Sequence, residues 1–259
     1  MEEEEALMIS FSGGRTSAYM TDRLLKEGWK GEIVICFANT GKEAVETLDF
    51  VHACELHWNR TIHWLEYDVE SKFRRVSFET ASRKGEPFAA LIEKRKYLPN
   101  VVHRFCTQEL KVRVIKRFMM SLGRKHWISA IGIRYDEPRR WSKTRGIAER
   151  ERWENWLPLV DWRITKPMVL DFWRTMPFDL RLEHHQGNCD LCFLKGRNKI
   201  RRQLTDDPAL GEWWMEQEAK TGGTFRKGLS VSRFLEIVRT TPAMFDYEDE
   251  DIECFCNAD

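Results

Sequence analysis

A doubly wound, mostly parallel α/β sheet with a helical C-terminal extension is the fold predicted by three features of this sequence. Short apolar runs alternate with longer amphipathic ones over about the first 165 residues, polar turn-rich segments follow several of the apolar runs, and strand-like alternation is lost beyond that point. The expected organisation is an α/β domain over 1–165, followed by a helical region over 166–259 that carries a CxxC pair and an acidic CxC tail.

The first strand is expected in "LMISFS" (7–12), an apolar run too short for a helix. It leads into "SGGRTS" (12–17), where two adjacent glycines permit positive φ and turn consecutive N–H groups to one side. Hydroxyls and a guanidinium add donors, so the turn is suited to an anion, and phosphate is the obvious guest. "SAYMTDRLLKEG" reads as the following helix, with Gly28 as its stop. "EIVICFA" (32–38), "TIHWLEYD" (61–68) and "HWISAIGI" (126–133) read as further strands. "AVETLDFVHACELHW" and "CTQELKVRVIKRFMMSLG" read as helices between them, the latter stopped at Gly123. Alternation of this kind predicts parallel pairing with right-handed crossovers. In the last third, "ITKPMVLDFWRTM", "LGEWWMEQEAKT" and "VSRFLEIVRTT" are separate helix candidates, with "HHQGNCDLCFLKGRNK" as a glycine-containing loop between the first two.

Composition narrows the class. The 259 residues suffice for one sizeable core or a core with a helical addition, and 42 basic against 41 acidic residues argue against a general polyanion binder. No apolar run approaches the roughly 18 residues of a membrane span, and four glutamates follow the initial methionine where a secretory signal is basic and then apolar. A cytoplasmic protein without membrane contact is expected, and a homodimer is compatible with the sequence. The seven cysteines are then expected as reduced thiols, so closely spaced ones read as metal ligands or reactive groups. Cys36 and Cys54, inside apolar segments, are expected as buried structural thiols.

Ligands of an open parallel sheet bind beyond the carboxyl ends of its strands. "SGGRTS", "NTGKEAVET" (39–47) and "GIRYDEPRR" (132–140) each follow a strand candidate and so fall on that one edge.

These motifs carry a resemblance to a known family. "SGGRTS" resembles the SGGxxS pyrophosphate loop of the adenine-nucleotide α-hydrolase (PP-loop ATP pyrophosphatase) superfamily, and the rest resembles its phosphoadenosine phosphosulfate (PAPS) reductases. "NTGKEAVETLDFV" is similar to their DTGxxFPET region, "RFCTQELKV" to CCxxxKxxPL, "GIRYDEPRR" to GxRxxES/R, and "PLVDWRITKPMVLDFW" to PLxDWTxxDVWxY. The likeness runs from about residue 7 to 200. It implies that Ser12, Gly13, Gly14, Thr16 and Ser17 embrace the phosphates of an adenine nucleotide, with Arg15 as a permanent cation and Thr40 and Gly41 beside them. It further implies that Arg134 and Arg140 face the anionic end of the substrate and that Lys111 supplies another positive charge. Asp136 and Glu137 are candidates either to position Mg²⁺ or to pair with these arginines.

The cysteine set is less regular. Cys189 and Cys192 form a CxxC turn that directs two thiolates at one ion. Cluster-containing sulfonucleotide reductases hold a 4Fe-4S cluster with two adjacent cysteines and a later CxxC. Here Cys106 keeps the first adjacent position, while Thr107 occupies the second. Three ligands remain, leaving either an iron open for substrate, sulfide or a small ligand, or a fourth thiolate brought from elsewhere; the tail offers Cys254 and Cys256. Zinc held by Cys189, Cys192 and the tail pair is the alternative. The resemblance to a mobile ECGLH-like segment makes Cys254 the candidate nucleophile and Cys256 the candidate ligand, although "ECFC" lacks the glycine and the terminal histidine. His184 and His185 are candidates for substrate or metal contact against plain solvation, and Trp213 and Trp214 are expected in the core.

Three functions stay open. The first is reduction of a sulfonucleotide to sulfite, with a thioredoxin-like dithiol protein as electron donor. The second is ATP-dependent sulfur transfer to a base or nucleic acid with release of pyrophosphate. The third is a non-catalytic, zinc-stabilised nucleotide-binding protein.

Overall fold

The structure, a computed structural model, describes residues 5–100, 102–145 and 151–241 of the chain. It is the doubly wound α/β fold, built on a six-stranded sheet in the order β4-β3-β2-β1-β5-β6. Strand β1 (Leu7–Ser10) is followed by α1 (Arg15–Glu27), β2 (Ile33–Asn39), α2 (Val45–Trp58), β3 (Ile62–Glu66), β4 (Arg74–Val76) and α3 (Glu86–Arg95). A nearly continuous helical stretch comes next: α4 (Phe105–Thr107), a π-helical turn (Gln108–Val112) and α5 (Arg113–Ser121). Then follow β5 (Trp127–Ile131), α6 (Pro138–Arg145), β6 (Trp153–Trp156), α7 (Pro158–Asp161) and α8 (Lys166–Arg174). The chain continues through α9 (Arg197–Asp206), a 3₁₀ turn (Pro208–Gly211), α10 (Glu212–Thr221) and α11 (Val231–Thr240).

β1 pairs in parallel with both β2 and β5, β2 with β3, and β5 with β6; only the edge strand β4 runs antiparallel, against β3. The chain winds outward from β1 to one edge and returns on the other side of β1. The switch point of the sheet therefore lies between β1 and β5, where loop ends separate and leave a crevice.

Period-two alternation explains the two cores. Leu7, Ile9, Ile35 and Phe37 point to the face covered by α1, α2 and α8, where Met20, Leu24, Leu48, Val51 and Trp173 pack. Met8, Val34, Cys36 and Ala38 point to the other face, against Leu91 and Ile92 of α3 and Val114 and Phe118 of α5. Ile200 and Leu204 of α9, Trp214 of α10 and Phe234 of α11 belong to that same cluster, so the C-terminal helices share one core with the sheet. Cys36 and Cys54 are fully buried, and burial pushes both thiols well above the usual range. Trp214 is buried as expected, while Trp213 is partly exposed and packs on Gly85 and Phe88.

Some elements differ from the expectation. β4, β6, α3, α6, α7 and α9 lie outside the predicted set, and the single helix expected over 106–123 is interrupted by its π-helical turn. No helix among the described residues is long and apolar enough to cross a membrane.

Candidate functional site

The 12–17 loop leaves the end of β1 at the switch point and enters α1 with Gly14 as its extended N-cap. Gly13 holds φ +80, and a Cβ there would stand 2.7 Å from Thr47 Cγ2, so both conformation and space demand glycine. Ser17 closes the loop on itself. Its Oγ lies 2.9 Å from Ser12 Oγ, accepts from Ser12 N at 3.2 Å and donates to the Gly14 carbonyl at 3.0 Å. Two hydroxyls thus stand together at the N-terminus of a 13-residue helix, whose unpaired N–H groups and dipole favour an anion. Gly132, at the end of β5, approaches Ser17 so closely that a Cβ would lie 3.0 Å from its Cα.

Arg15 points elsewhere. Its guanidinium grips Asp179 through two bonds of 2.7 and 3.0 Å and reaches the Leu180 carbonyl, while Trp173 Nε1 donates to the Arg15 carbonyl at 2.9 Å. In this structure the cation expected to face phosphate instead ties the loop to the segment after α8.

Arg134 is buried, with Nε donating to Asp136 at 3.0 Å and Nη1 to Thr16 Oγ1 at 3.1 Å. Arg140 pairs with Glu137, whose other oxygen accepts from Arg134 N at 3.0 Å. Of the two roles open to Asp136 and Glu137, pairing with the arginines is the one the geometry displays.

A cavity of about 250 Å³ opens beside this loop, between the sheet face and the stretch from Thr107 to Lys116. Ser12, Ser17, Lys111, Gly132 and Arg140 line it, and Trp127 and Trp153, stacked at 5.5 Å, lie along its wall. A second, smaller pocket is lined by Cys106, Cys189 and Cys192 together with Thr40, Lys42 and the apolar Phe88, Leu191, Phe193 and Trp214. Thr107 and Lys111 line both, so the two spaces adjoin. Lys111 sits in the π-helical turn, a local irregularity of the kind that re-aims side chains at functional sites.

Two buried ion pairs flank the thiols. Lys111 Nζ lies 3.0 Å from Glu43, and Lys42 Nζ 2.5 Å from Asp190. Burial pushes the Asp190 carboxyl up to about 6, with Lys42 pulling the other way. Glu43 also accepts from Thr40 Oγ1 at 3.0 Å, and the Cys189 thiol lies 3.7 Å from its other oxygen. The cysteine loop is laced to this segment by Ala44 N to the Asn188 carbonyl, 2.7 Å, and Asp190 N to the Lys42 carbonyl, 2.9 Å. Gly41 takes φ +78 and donates its N–H to Asn39 Oδ1 at 3.0 Å; the Asn39 Nδ2 in turn donates to the fully buried Glu66.

The structure therefore brings Ser12, Ser17 and Arg140 to one cleft, with Arg134 bonded to Thr16 of the same loop, and Thr40, Cys106, Cys189 and Cys192 to the adjoining pocket, Lys111 lining both. Cys254 and Cys256 lie outside the described residues. His184 is exposed, whereas His185 is buried and pairs with Asp206 at 3.0 Å, a correction to the expectation of a solvated or ligand-facing pair. Glu43, Asn188, Lys42 and Asp190 were not singled out from the sequence. Each lies within or beside a quoted motif, but only the fold opposes residues 42–44 to 188–190.

Among the described residues no three His, Cys, Asp or Glu side chains are already arranged around a metal position. The donor chemistry nonetheless fits a thiolate-held group. Three cysteines meet in one largely apolar pocket, the donor type that soft metals and iron–sulfur clusters take.

Comparison with known proteins gives the following. The family model described as phosphoadenosine phosphosulfate reductase domain matches residues 6–180. The uncharacterized nin region protein ORF290 of Escherichia phage lambda is 30% identical over 235 residues, covering 85% of this chain and 76% of that protein. The crystal structure of PAPS reductase from Candida auris in a phosphate complex is 18% identical, with 67% of this chain and 74% of that chain covered and a TM-score of 0.43. The U34-tRNA thiolase NcsA of Methanococcus maripaludis with its [4Fe-4S] cluster is 11% identical, with 96% and 77% covered and a TM-score of 0.41.

Proposed function

This chain belongs to the phosphoadenosine phosphosulfate reductase domain family, and from that premise we propose that it is a sulfur-metabolism enzyme that binds an adenine nucleotide at residues 12–17 and reduces a sulfonucleotide to sulfite. One observation carries the reading: Thr107 and Lys111 line both the cleft beside the 12–17 loop and the three-cysteine pocket, so the sulfonate joined to a phosphate held by that loop would lie toward the thiols.

In this reading Ser12, Ser17 and the amides of Gly13 and Gly14 hold phosphate oxygens, Arg140 on the cleft wall adds a cation, and Arg134 adds a second behind Thr16, to which it is bonded. Lys111 faces the bond to be broken. A thiolate, Cys254 by resemblance, attacks the sulfonate sulfur. The sulfur–oxygen bond to phosphate breaks with its electron pair on the departing nucleotide, and a cysteine S-sulfonate is left. A thioredoxin-like dithiol then attacks the cysteine sulfur, sulfite leaves, and the dithiol's second thiol closes its own disulfide, which accounts for the two electrons. Cys106, Cys189 and Cys192 would hold an iron–sulfur cluster, or zinc, with Cys256 as the candidate fourth ligand. A cluster there would supply an electropositive, redox-capable centre beside the substrate. Mg²⁺ has a weaker claim, since Asp136 and Glu137 are engaged by arginines.

A second reading, ATP-dependent sulfur transfer to a base or nucleic acid, is favoured by the same loop. Paired hydroxyls at a helix N-terminus suit a departing pyrophosphate as well as they suit a nucleotide phosphate. The deciding experiment incubates anaerobic protein, in the presence of a thioredoxin-like dithiol reductant, separately with PAPS, adenylyl sulfate and ATP, and assays sulfite, AMP and pyrophosphate. Sulfite formation is expected; pyrophosphate without sulfite would transfer the protein to the second reading, and neither product would leave a binding protein.

A further inference from the structure

Cys189 is joined to the 12–17 loop through its neighbour. Asn188 is fully buried, and its Nδ2 donates to the Ser12 carbonyl at 2.9 Å. Its own carbonyl accepts from Ala44 N at 2.7 Å and from Thr47 Oγ1 at 3.3 Å. The backbone around Cys189 is therefore already fixed by the ladder between 42–44 and 188–190, without help from the Asn188 side chain. What the side chain adds is the link to Ser12. It adds it at a cost, because Oδ1 of the same amide is buried with no hydrogen-bond partner among the described residues. A buried acceptor left unsatisfied is destabilising, so an apolar residue of similar size would serve packing at least as well.

The Ser12 carbonyl and the Gly13 N–H belong to one peptide plane. Any rotation that aims Gly13 N–H at a phosphate oxygen turns the Ser12 carbonyl with it, and that carbonyl is the one Asn188 holds. Two further ties, Arg15 to Asp179 and Trp173 to the Arg15 carbonyl, fasten the same loop to the segment that leads to Asn188. We propose that Asn188 is a positioning residue that couples occupancy of the 12–17 loop to the setting of the Cys189 thiol. The nucleotide thereby tells the cysteine pocket that it has arrived. This inference rests on the reading of the 12–17 loop as the nucleotide site.

The test uses the full-length chain, purified anaerobically and used as isolated. Iodoacetamide modification of Cys106, Cys189 and Cys192 is followed by peptide mass spectrometry with and without saturating ATP or adenosine 3′,5′-bisphosphate, and binding of each nucleotide is measured by calorimetry. The modification rate is defined whether the thiol is free or must first leave a metal. In the wild-type chain a bound nucleotide should change the Cys189 rate by about fivefold or more, the low end of ordinary site-to-site coupling. In Asn188→Ala, and in Asn188→Asp, which keeps the volume but loses the Nδ2 donor, nucleotide should still bind while the Cys189 rate no longer responds. A wild-type response retained in either variant would overturn the proposal, as would a wild-type chain that binds nucleotide with no change at Cys189. Failure of both nucleotides to bind the wild-type chain would overturn the nucleotide reading itself, and this coupling with it.

Discussion

Lys111 illustrates how a single side chain is committed twice. It faces the cleft, and its ammonium is paired at 3.0 Å with Glu43, whose side chain is wholly buried. Removing one partner of such a pair strands the other charge, so Lys111→Met should lower stability by about 3–5 kcal/mol in denaturant titrations. Lys111→Met/Glu43→Gln should recover much of that loss without restoring turnover; a double variant as unstable as the single one would show that the pair is not what the lysine contributes. His185 offers a pH test. Burial lowers its pKa from 6.5, opposed by Asp206, with His184 and Arg202 adding to the lowering. The unfolded chain then binds the proton more tightly, so this stabilisation is complete above 6.5 and is lost as pH falls through the lower folded value. His185→Gln should flatten that part of the stability curve, and an unchanged acid limb would contradict it. The residue-level site was legible where a motif announced it, as at Ser12, Lys111 and Cys189. Glu43 and Asn188 were not, because each acts through a partner more than 60 positions away.

Elements tell a similar story. The strands β1, β2, β3 and β5 were legible because they are largely apolar and mostly buried, whereas β6 reads "WENW" and β4 "RRV", short edge segments with little apolar signal. Helix α9, "RNKIRRQLTD", buries only Ile200, Gln203 and Leu204 of its ten residues, too sparse a stripe to separate from the loop before it. The π-helical turn that carries Lys111 has no local sequence signature, since Gln108 to Val112 would serve an ordinary helix equally well. The C-terminal helices depend on one buried carboxylate. Glu218 of α10 accepts from Phe225 N at 2.6 Å and Val231 N at 3.2 Å, fastening the start of α11. Glu218→Ala leaves those amides unpaired and should cost about 1–3 kcal/mol. Limited proteolysis should then cut first between α10 and α11; cleavage unchanged in rate and position would remove Glu218 from this role.

For the molecule as a whole, the order of the sheet explains why the chemistry gathers at one edge. Outward winding followed by return across β1 opens the crevice, the 12–17 loop lines it from one side and β5 from the other, and the helical extension packs on the sheet face next to the cysteines. The alternation of runs predicted this sheet, but not that the extension shares its core, because contacts between Trp214 or Phe234 and the sheet face leave no periodic mark on the sequence. Every functional step proposed for this protein begins with nucleotide phosphate against residues 12–17. The most direct measurement is calorimetric titration of the wild-type chain and Gly14→Asp with ATP and with adenosine 3′,5′-bisphosphate, each protein first shown to melt cooperatively. The variant sets a carboxylate at the N-cap of α1, among the donors meant for phosphate. Saturable binding of at least one nucleotide by the wild-type chain and its loss in folded Gly14→Asp is the predicted result; a folded variant that binds as the wild type does would contradict the account.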